Sequence, residues 1–256
     1  MKPILEVCCG NLESVHAAVR GGAERIELCS ALEQDGLTPP TDVVRTVRRL
    51  YPDLVIQVLI RPRPGNFCYG KEEVGTMASQ IEEAMEAGAD GIIIGCLDEK
   101  GDPAVGTLLD LTRCVDDWNL ACELNDSDRC HASNDNHFFA GMPRKAVSLT
   151  FHRAFDVCRD PFAALESIIG LGFDRILTSG QASTAEKGIP LLKRLAESAG
   201  SRIILLPGGG VTPENAARIL SETGSSEIHA SASVLREGRK CTSPELVASI
   251  LKAINP

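Results

Sequence analysis

Gly22-Ala23-Glu24-Arg25-Ile26-Glu27-Leu28-Cys29 returns, altered, as Gly88-Ala89-Asp90-Gly91-Ile92-Ile93-Ile94-Gly95-Cys96. It returns again as Gly172-Phe173-Asp174-Arg175-Ile176-Leu177-Thr178-Ser179-Gly180, and more faintly as Gly224-Ser225-Ser226-Glu227-Ile228-His229-Ala230. Each copy follows an amphipathic stretch of helical period, so its glycine fits a helix C-cap in left-handed backbone. The short apolar run that follows suits a buried parallel strand. Between the copies, residues 4–8, 55–60, 148–152 and 203–206 read the same way. Eight strands alternating with helices predict one (β/α)8 TIM-type barrel, an α/β fold in a single domain over residues 1–256. An open doubly wound sheet would need a glycine fingerprint after the first strand, and Cys8-Cys9-Gly10-Asn11 is not one.

Helix starts are expected near Pro161, Pro190 and Pro213, because proline is tolerated in a first turn. Thr212 reads as an N-cap followed early by Glu214. The stretch from Trp118 to about Lys145 is polar and without period, and predicts a mobile insertion at about 119–145, before the fifth strand. Its Cys122, Cys130, His131 and His137 match no zinc spacing and read as a solvated loop.

The chain has 256 residues, 43% hydrophobic but only 4% aromatic, with a formal net charge of −9. A large core is available, whereas aromatic stacking platforms for RNA are not. The negative charge argues against nucleic acid or an anionic membrane as partner. An acid at Glu6 interrupts any signal peptide, and no apolar run reaches membrane-spanning length. Ten cysteines without framework spacing then read as reduced thiols in the cytoplasm.

In a barrel, alternate strand residues face the axis and function gathers at the carboxyl ends. That period turns Glu6 and Cys8 inward from the first strand, and Glu27 and Cys29 from the second. Gln57, Leu59 and Arg61 follow from the third, Thr150 and His152 from the fifth, His229 and Ser231 from the eighth. Buried charges need partners, so Glu6 and Glu27 are expected against Arg61 and His152. A self-neutralising polar plug is one reading, and a functional cleft is the other.

Cys8 and Cys29 end neighbouring strands about 4.8 Å apart. Two inward thiolates suit Cu(I), zinc would need His152 or His229 as well, and two reduced thiols at the mouth remain an alternative. Pro207-Gly208-Gly209-Gly210-Val211-Thr212 follows the seventh strand. Gly208, Gly209 and Gly210, closed by Ser231, form a candidate cradle for a phosphate or carboxylate. In Thr150-Phe151-His152-Arg153-Ala154-Phe155-Asp156, His152 is placed as general acid or base with Asp156 orienting it. No organic cofactor is indicated: nucleophile elbow, Walker loop and His-Glu-x-x-His motif are all missing.

Taken together, Glu6-Val7-Cys8, Arg25-Ile26-Glu27-Leu28-Cys29-Ser30, Gly36-Leu37-Thr38-Pro39, Ile60-Arg61-Pro62-Arg63, Thr150 to Asp156, Leu177-Thr178-Ser179-Gly180 and Pro207 to Gly210 resemble the copper homeostasis protein CutC family along nearly the whole chain. The resemblance implies a TIM-type barrel, a cytoplasmic setting and a homodimer or larger homo-oligomer. It further implies copper handling, with Cu(I) at Cys8 and Cys29. Where the family usually continues with Gly-Gly-Asp-Phe, this chain has Pro64, Gly65, Asn66 and Phe67. Two functions stand side by side: a Cu(I)-binding protein, or a barrel enzyme for a small anionic metabolite using Glu6, Glu27, Arg61, His152 and Asp156.

Overall fold

The fold is described from a computed structural model covering residues 2–128, 146–236 and 239–255. Its strands are β1 (Ile4–Cys9), β2 (Arg25–Leu28), β3 (Val55–Leu59), β4 (Gly91–Ile94), β5 (Ser148–Phe151), β6 (Arg175–Thr178), β7 (Ile204–Pro207) and β8 (Glu227–Ala230). They form one eight-stranded parallel sheet in the order β7-β6-β5-β4-β3-β2-β1-β8. The helices α1 (Leu12–Arg20), α2 (Thr41–Leu50), α3 (Lys71–Glu86), α4 (Val105–Asp128), α5 (Pro161–Gly170), α6 (Ala185–Ala199) and α7 (Ala216–Thr223) alternate with the strands. A hairpin, β9 (Ser233–Arg236) with β10 (Arg239–Thr242), precedes α8 (Pro244–Ile254). The ring closes between β7 and β8 through one parallel bridge, Gly208 with His229, so the architecture is the expected (β/α)8 barrel. No helix among the described residues is long and apolar enough to cross a membrane.

The repeated glycines act as read. Gly22, Gly88, Gly172 and Gly224 have φ of +93°, +97°, +78° and +71°, a backbone that side chains rarely adopt, and each turns the chain from a helix toward a strand. The acid after two of them ties adjacent strands together: Asp90 Oδ2 accepts from Ile56 N at 2.8 Å, and Asp174 Oδ2 from Leu149 N at 2.8 Å. Outward positions of the strands, such as Ile26, Leu28, Ile56, Val58, Phe151 and Ile228, are buried against the helices. Burying one such side chain contributes about 1.5–3 kcal/mol, so this outer shell carries most of the apolar stabilisation.

Several local expectations are corrected. Pro161 does open α5, with Asp160 capping Phe162 N and Ala163 N. Pro190, by contrast, lies inside α6, which starts earlier behind the Thr184 cap. Pro213 precedes α7, whose cap position is Asn215 rather than Thr212. The expected irregular stretch is helical as far as Asp128. Leu108, Leu111, Val115 and Cys122 bury one face of α4, and Asn119 holds the return to β5 by accepting from Val147 N at 2.8 Å and donating to Val147 O at 3.0 Å. Of the rest of that stretch, Cys130, His131 and His137 lie outside the described residues.

Candidate functional site

The axis of the barrel is ionic at its amino end. Arg25 Nε stands 3.0 Å from Glu6 Oε2 and its Nη2 stands 2.5 Å from Glu227 Oε2, while Arg175 Nε reaches the same Glu227 oxygen at 2.8 Å. His229 joins this floor to the mouth: Nδ1 is 2.9 Å from Glu6 Oε1, and Nε2 is 3.4 Å from Glu27 Oε2. Burial alone would keep the imidazole neutral. Its contacts with Cys8 and Glu6 and the charges of Glu27 and Glu6 outweigh burial and hold its pKa well above the ordinary value. Burial acts in the opposite sense on Glu6 and pushes it up, but the His229 hydrogen bond and Arg25 leave it below its ordinary value; burial dominates at Glu27 and raises it. Carboxylates Glu6, Glu27 and Glu227 are thus set against Arg25, Arg175 and the His229 imidazolium, a balanced buried network.

At the mouth above this floor, Cys8 Sγ lies 3.7 Å from Cys29 Sγ. Cys29 is buried in an interior apolar layer with Leu59 and Ile93, and Cys8 packs against the same layer. Burial and the Cys29 contact hold the Cys8 thiol well above its ordinary pKa, the Cys29 contact being the larger cause. Cys8, Glu27 and His229 each offer one ligand atom, all within 4.8 Å of one another. Cys9, on the opposite face of β1, is buried in the outer core and donates to Val7 O.

The expected pairing of Glu6 and Glu27 with Arg61 and His152 is replaced by the network above. Arg61 instead donates through Nη1 to the carbonyls of Gln34, Asp35 and Gly36 at 3.0, 3.2 and 3.0 Å, and through Nη2 to Gly65 O at 3.1 Å. Asp156 does not orient His152. A 3-10 turn over Arg153–Val157 carries it to the end of β6, where it accepts from Thr178 Oγ1 at 2.5 Å, Ser179 N at 2.9 Å, Ser179 Oγ at 3.0 Å and Arg153 Nε at 2.8 Å. His152 Nδ1 accepts from Ala154 N at 3.1 Å. Its ring lies where a side chain on Gly95 of the neighbouring strand would point, since a Cβ there would come within 2.4 Å of Nδ1.

The glycine loop is separated from the start of its helix. Gly208 pairs with His229, and Gly209 and Gly210 have φ of +100° and +70°. Asn215 bridges the gap to α7, accepting from Thr212 N at 2.8 Å and donating to Gly210 O at 2.9 Å. Arg153 lies beside Gly209, with Nη2 3.2 Å from Ser179 Oγ. Ser231, past the end of β8, is exposed and accepts from Ser233 Oγ at 3.3 Å. Arg25, Arg175 and Glu227 were missed by the sequence reading, although counting back by two from Glu27 and His229 reaches Arg25 and Glu227.

Fold and site together define a TIM-type barrel whose carboxyl end holds paired thiols, an imidazolium and a carboxylate over an ionic floor. The chain belongs to the CutC family, whose model matches residues 3–121 and 140–234. A CutC family protein of Bacteroides thetaiotaomicron is 44% identical over 227 residues, 89% of this chain and 80% of that one. A human relative named copper homeostasis protein cutC homolog is 39% identical over 234 residues, 91% of this chain and 75% of that one. The crystal structure of a Streptococcus agalactiae CutC protein superposes with a TM-score of 0.74 at 28% identity, covering 90% of this chain and 98% of that one. A Vibrio cholerae 3-keto-L-gulonate-6-phosphate decarboxylase, at TM-score 0.58 and 15% identity over 99% and 98% of the two chains, shares the fold alone.

Proposed function

We propose that this chain serves copper homeostasis in the cytoplasm by binding Cu(I), as cargo, through Cys8 and Cys29. The observation that carries the reading is the 3.7 Å separation of the two sulfurs. Metal–thiolate bonds run to about 2.3 Å, so two sulfurs sharing one ion stand up to roughly 4.6 Å apart, and this pair lies within that reach. Thiolates select a soft ion, and the low-dielectric layer of Leu59 and Ile93 beside them disfavours a hard, strongly hydrated one. His229 and Glu27 are the next ligands within reach of Cys8; to bind, each gives up its present contact with the other, and His229 releases the proton it holds as an imidazolium. Names of relatives support copper as the metal. A homo-oligomer is part of the same proposal.

Anaerobic titration with Cu(I) against a competing chelator tests it. One copper per chain is expected, with binding lost in the Cys8→Ser/Cys29→Ser variant and little response to zinc. Equal Cu(I) affinity in that variant would overturn the assignment.

A further inference from the structure

The copper reading leaves a second group of side chains at the mouth unexplained. Arg61, 5% exposed, carries a positive charge that meets carbonyl oxygens only; no carboxylate pairs with it among the described residues. Its Nε–H is buried and has no well-formed hydrogen bond among the described residues. His152, 4% exposed, receives the Ala154 amide on Nδ1, so the neutral ring carries its proton on Nε2. That Nε2 is also buried and, among the described residues, without a partner; the buried Tyr69 hydroxyl has Arg61 within reach of its oxygen and no acceptor for its proton among them. The ring stays neutral because burial and the facing Arg61 charge lower its pKa to about 3, while burial raises Tyr69 to about 12.

These groups belong together. Arg61 lies two residues past β3 and His152 directly after β5, on either side of β4, after which Gly95 presents no side chain to divide them. Both rest on Phe67: the Arg61 guanidinium carbon is 5.2 Å from its ring centre, and the His152 ring 5.0 Å. The Arg61 charge is felt at both the imidazole and the phenol. One buried cation and two neutral rings thus present N–H and O–H donors against a single acceptor, the Tyr69 oxygen, which Arg61 already faces.

A buried donor left without an acceptor is costly, and an unpaired buried charge costs more. The ionic floor of the same barrel is balanced acid against base, so the missing counter-charge at Arg61 is a local property of this corner. A ligand that satisfies it brings a negative charge and oxygen acceptors. Three carbonyls occupy both N–H groups of Nη1 and Gly65 O takes one of the two on Nη2, so the guanidinium keeps its Nε–H and one Nη2–H for a ligand. These few remaining donors of Arg61, with one each from His152 and Tyr69, suit a carboxylate, with two oxygens, better than a phosphate, which calls for a denser set of donors.

We infer that Arg61, His152 and Tyr69 form a binding site for a small carboxylate, separate from the thiol pair. The site is independent of copper, and its test is run on reduced, copper-free full-length protein. Acetate, pyruvate and oxalate are titrated separately, with inorganic phosphate and chloride at matched ionic strength as comparators. The readouts are the thermal midpoint and the 15N resonance of His152 Nε2.

At least one carboxylate is expected to raise the midpoint saturably beyond chloride and to move the Nε2 resonance. Tyr69→Phe, which removes one oxygen, is expected to weaken that binding roughly tenfold, as loss of one hydrogen bond to a charged group does. His152→Phe is expected to do the same, and if it does not fold, Tyr69→Phe carries the test alone. No carboxylate effect beyond chloride would overturn the site, leaving the donors to water. So would binding that leaves the His152 resonance and the Tyr69→Phe affinity untouched. Phosphate binding there in place of every carboxylate would overturn the ligand class.

Discussion

Arg25 Nη2 and Glu227 Oε2 stand 2.5 Å apart at the barrel's amino end, joining positions 202 residues apart in the chain. Each is almost wholly buried, and Glu227 also serves Arg175. Glu227→Ala therefore leaves two guanidinium groups sharing one remaining acid, Glu6. The expected cost is about 3–5 kcal/mol in urea unfolding. The double variant Arg175→Met/Glu227→Met should cost less than the sum of its singles, because charge is removed in a pair. A cost below 1 kcal/mol for Glu227→Ala would show that water, not Glu227, solvates these arginines.

His152 predicts a signature in acid. Its folded pKa, about 3, lies below the ordinary 6.5, through burial and the facing Arg61 charge. A depressed folded value means that the unfolded chain takes up the proton first. The contribution of His152 to stability is thus whole above pH 6.5 and is lost as pH falls toward 3. The expected slope is up to about 1.4 kcal/mol per pH unit over that window. Denaturant titrations of wild type and His152→Gln at several pH values should converge as the medium becomes acidic, and parallel curves would refute the depressed pKa.

Glycines inside two helices should respond oppositely to alanine. At Gly188, within α6, a Cβ would come 1.8 Å from the backbone oxygen of Ser179, so helix and loop must part. Gly188→Ala is expected to destabilise by more than the ~1–3 kcal/mol usual for overpacking. At Gly75, in the middle of α3, nothing lies within 4 Å. Gly75→Ala should stabilise by about 0.5–1 kcal/mol, measured as a rise in the thermal midpoint.

Asp156 is predicted to be a structural acceptor. Asn in its place would set an amide N–H₂ either against Thr178 Oγ1 and Ser179 N or against Arg153 Nε and Ser179 Oγ. Asp156→Asn should cost roughly 2–3 kcal/mol of stability, the range for hydrogen bonds to a charged group. Unchanged stability would indicate that the β6 loop rearranges around it.

The barrel was legible because helix end, glycine and apolar strand recur in the chain, and the period of two placed Glu6, Cys8, Glu27, Cys29 and His229 on one axis. What failed was pairing. Arg25, Arg175 and Glu227 sit at the first residue of their strands, where a charge looks like the end of the preceding turn. Arg61 is held by backbone carbonyls of residues 34–36 and 65, and a carbonyl has no residue identity to read. Asp156 followed His152 too closely for the pairing to look doubtful, yet the 3-10 turn between them aims it at another strand. In α4 the polar residues beyond Trp118 hid a buried stripe that ends at Cys122.

The seam between β7 and β8 has one backbone bridge, Gly208 with His229, and the Ser225 hydroxyl set between Leu205 O and Glu227 O, whereas every other neighbouring pair of strands shares a ladder. The wall is therefore most easily parted at the imidazole that faces Cys8 and Glu27, so a guest drawing on that ring would pull on the least fastened stave of the cask.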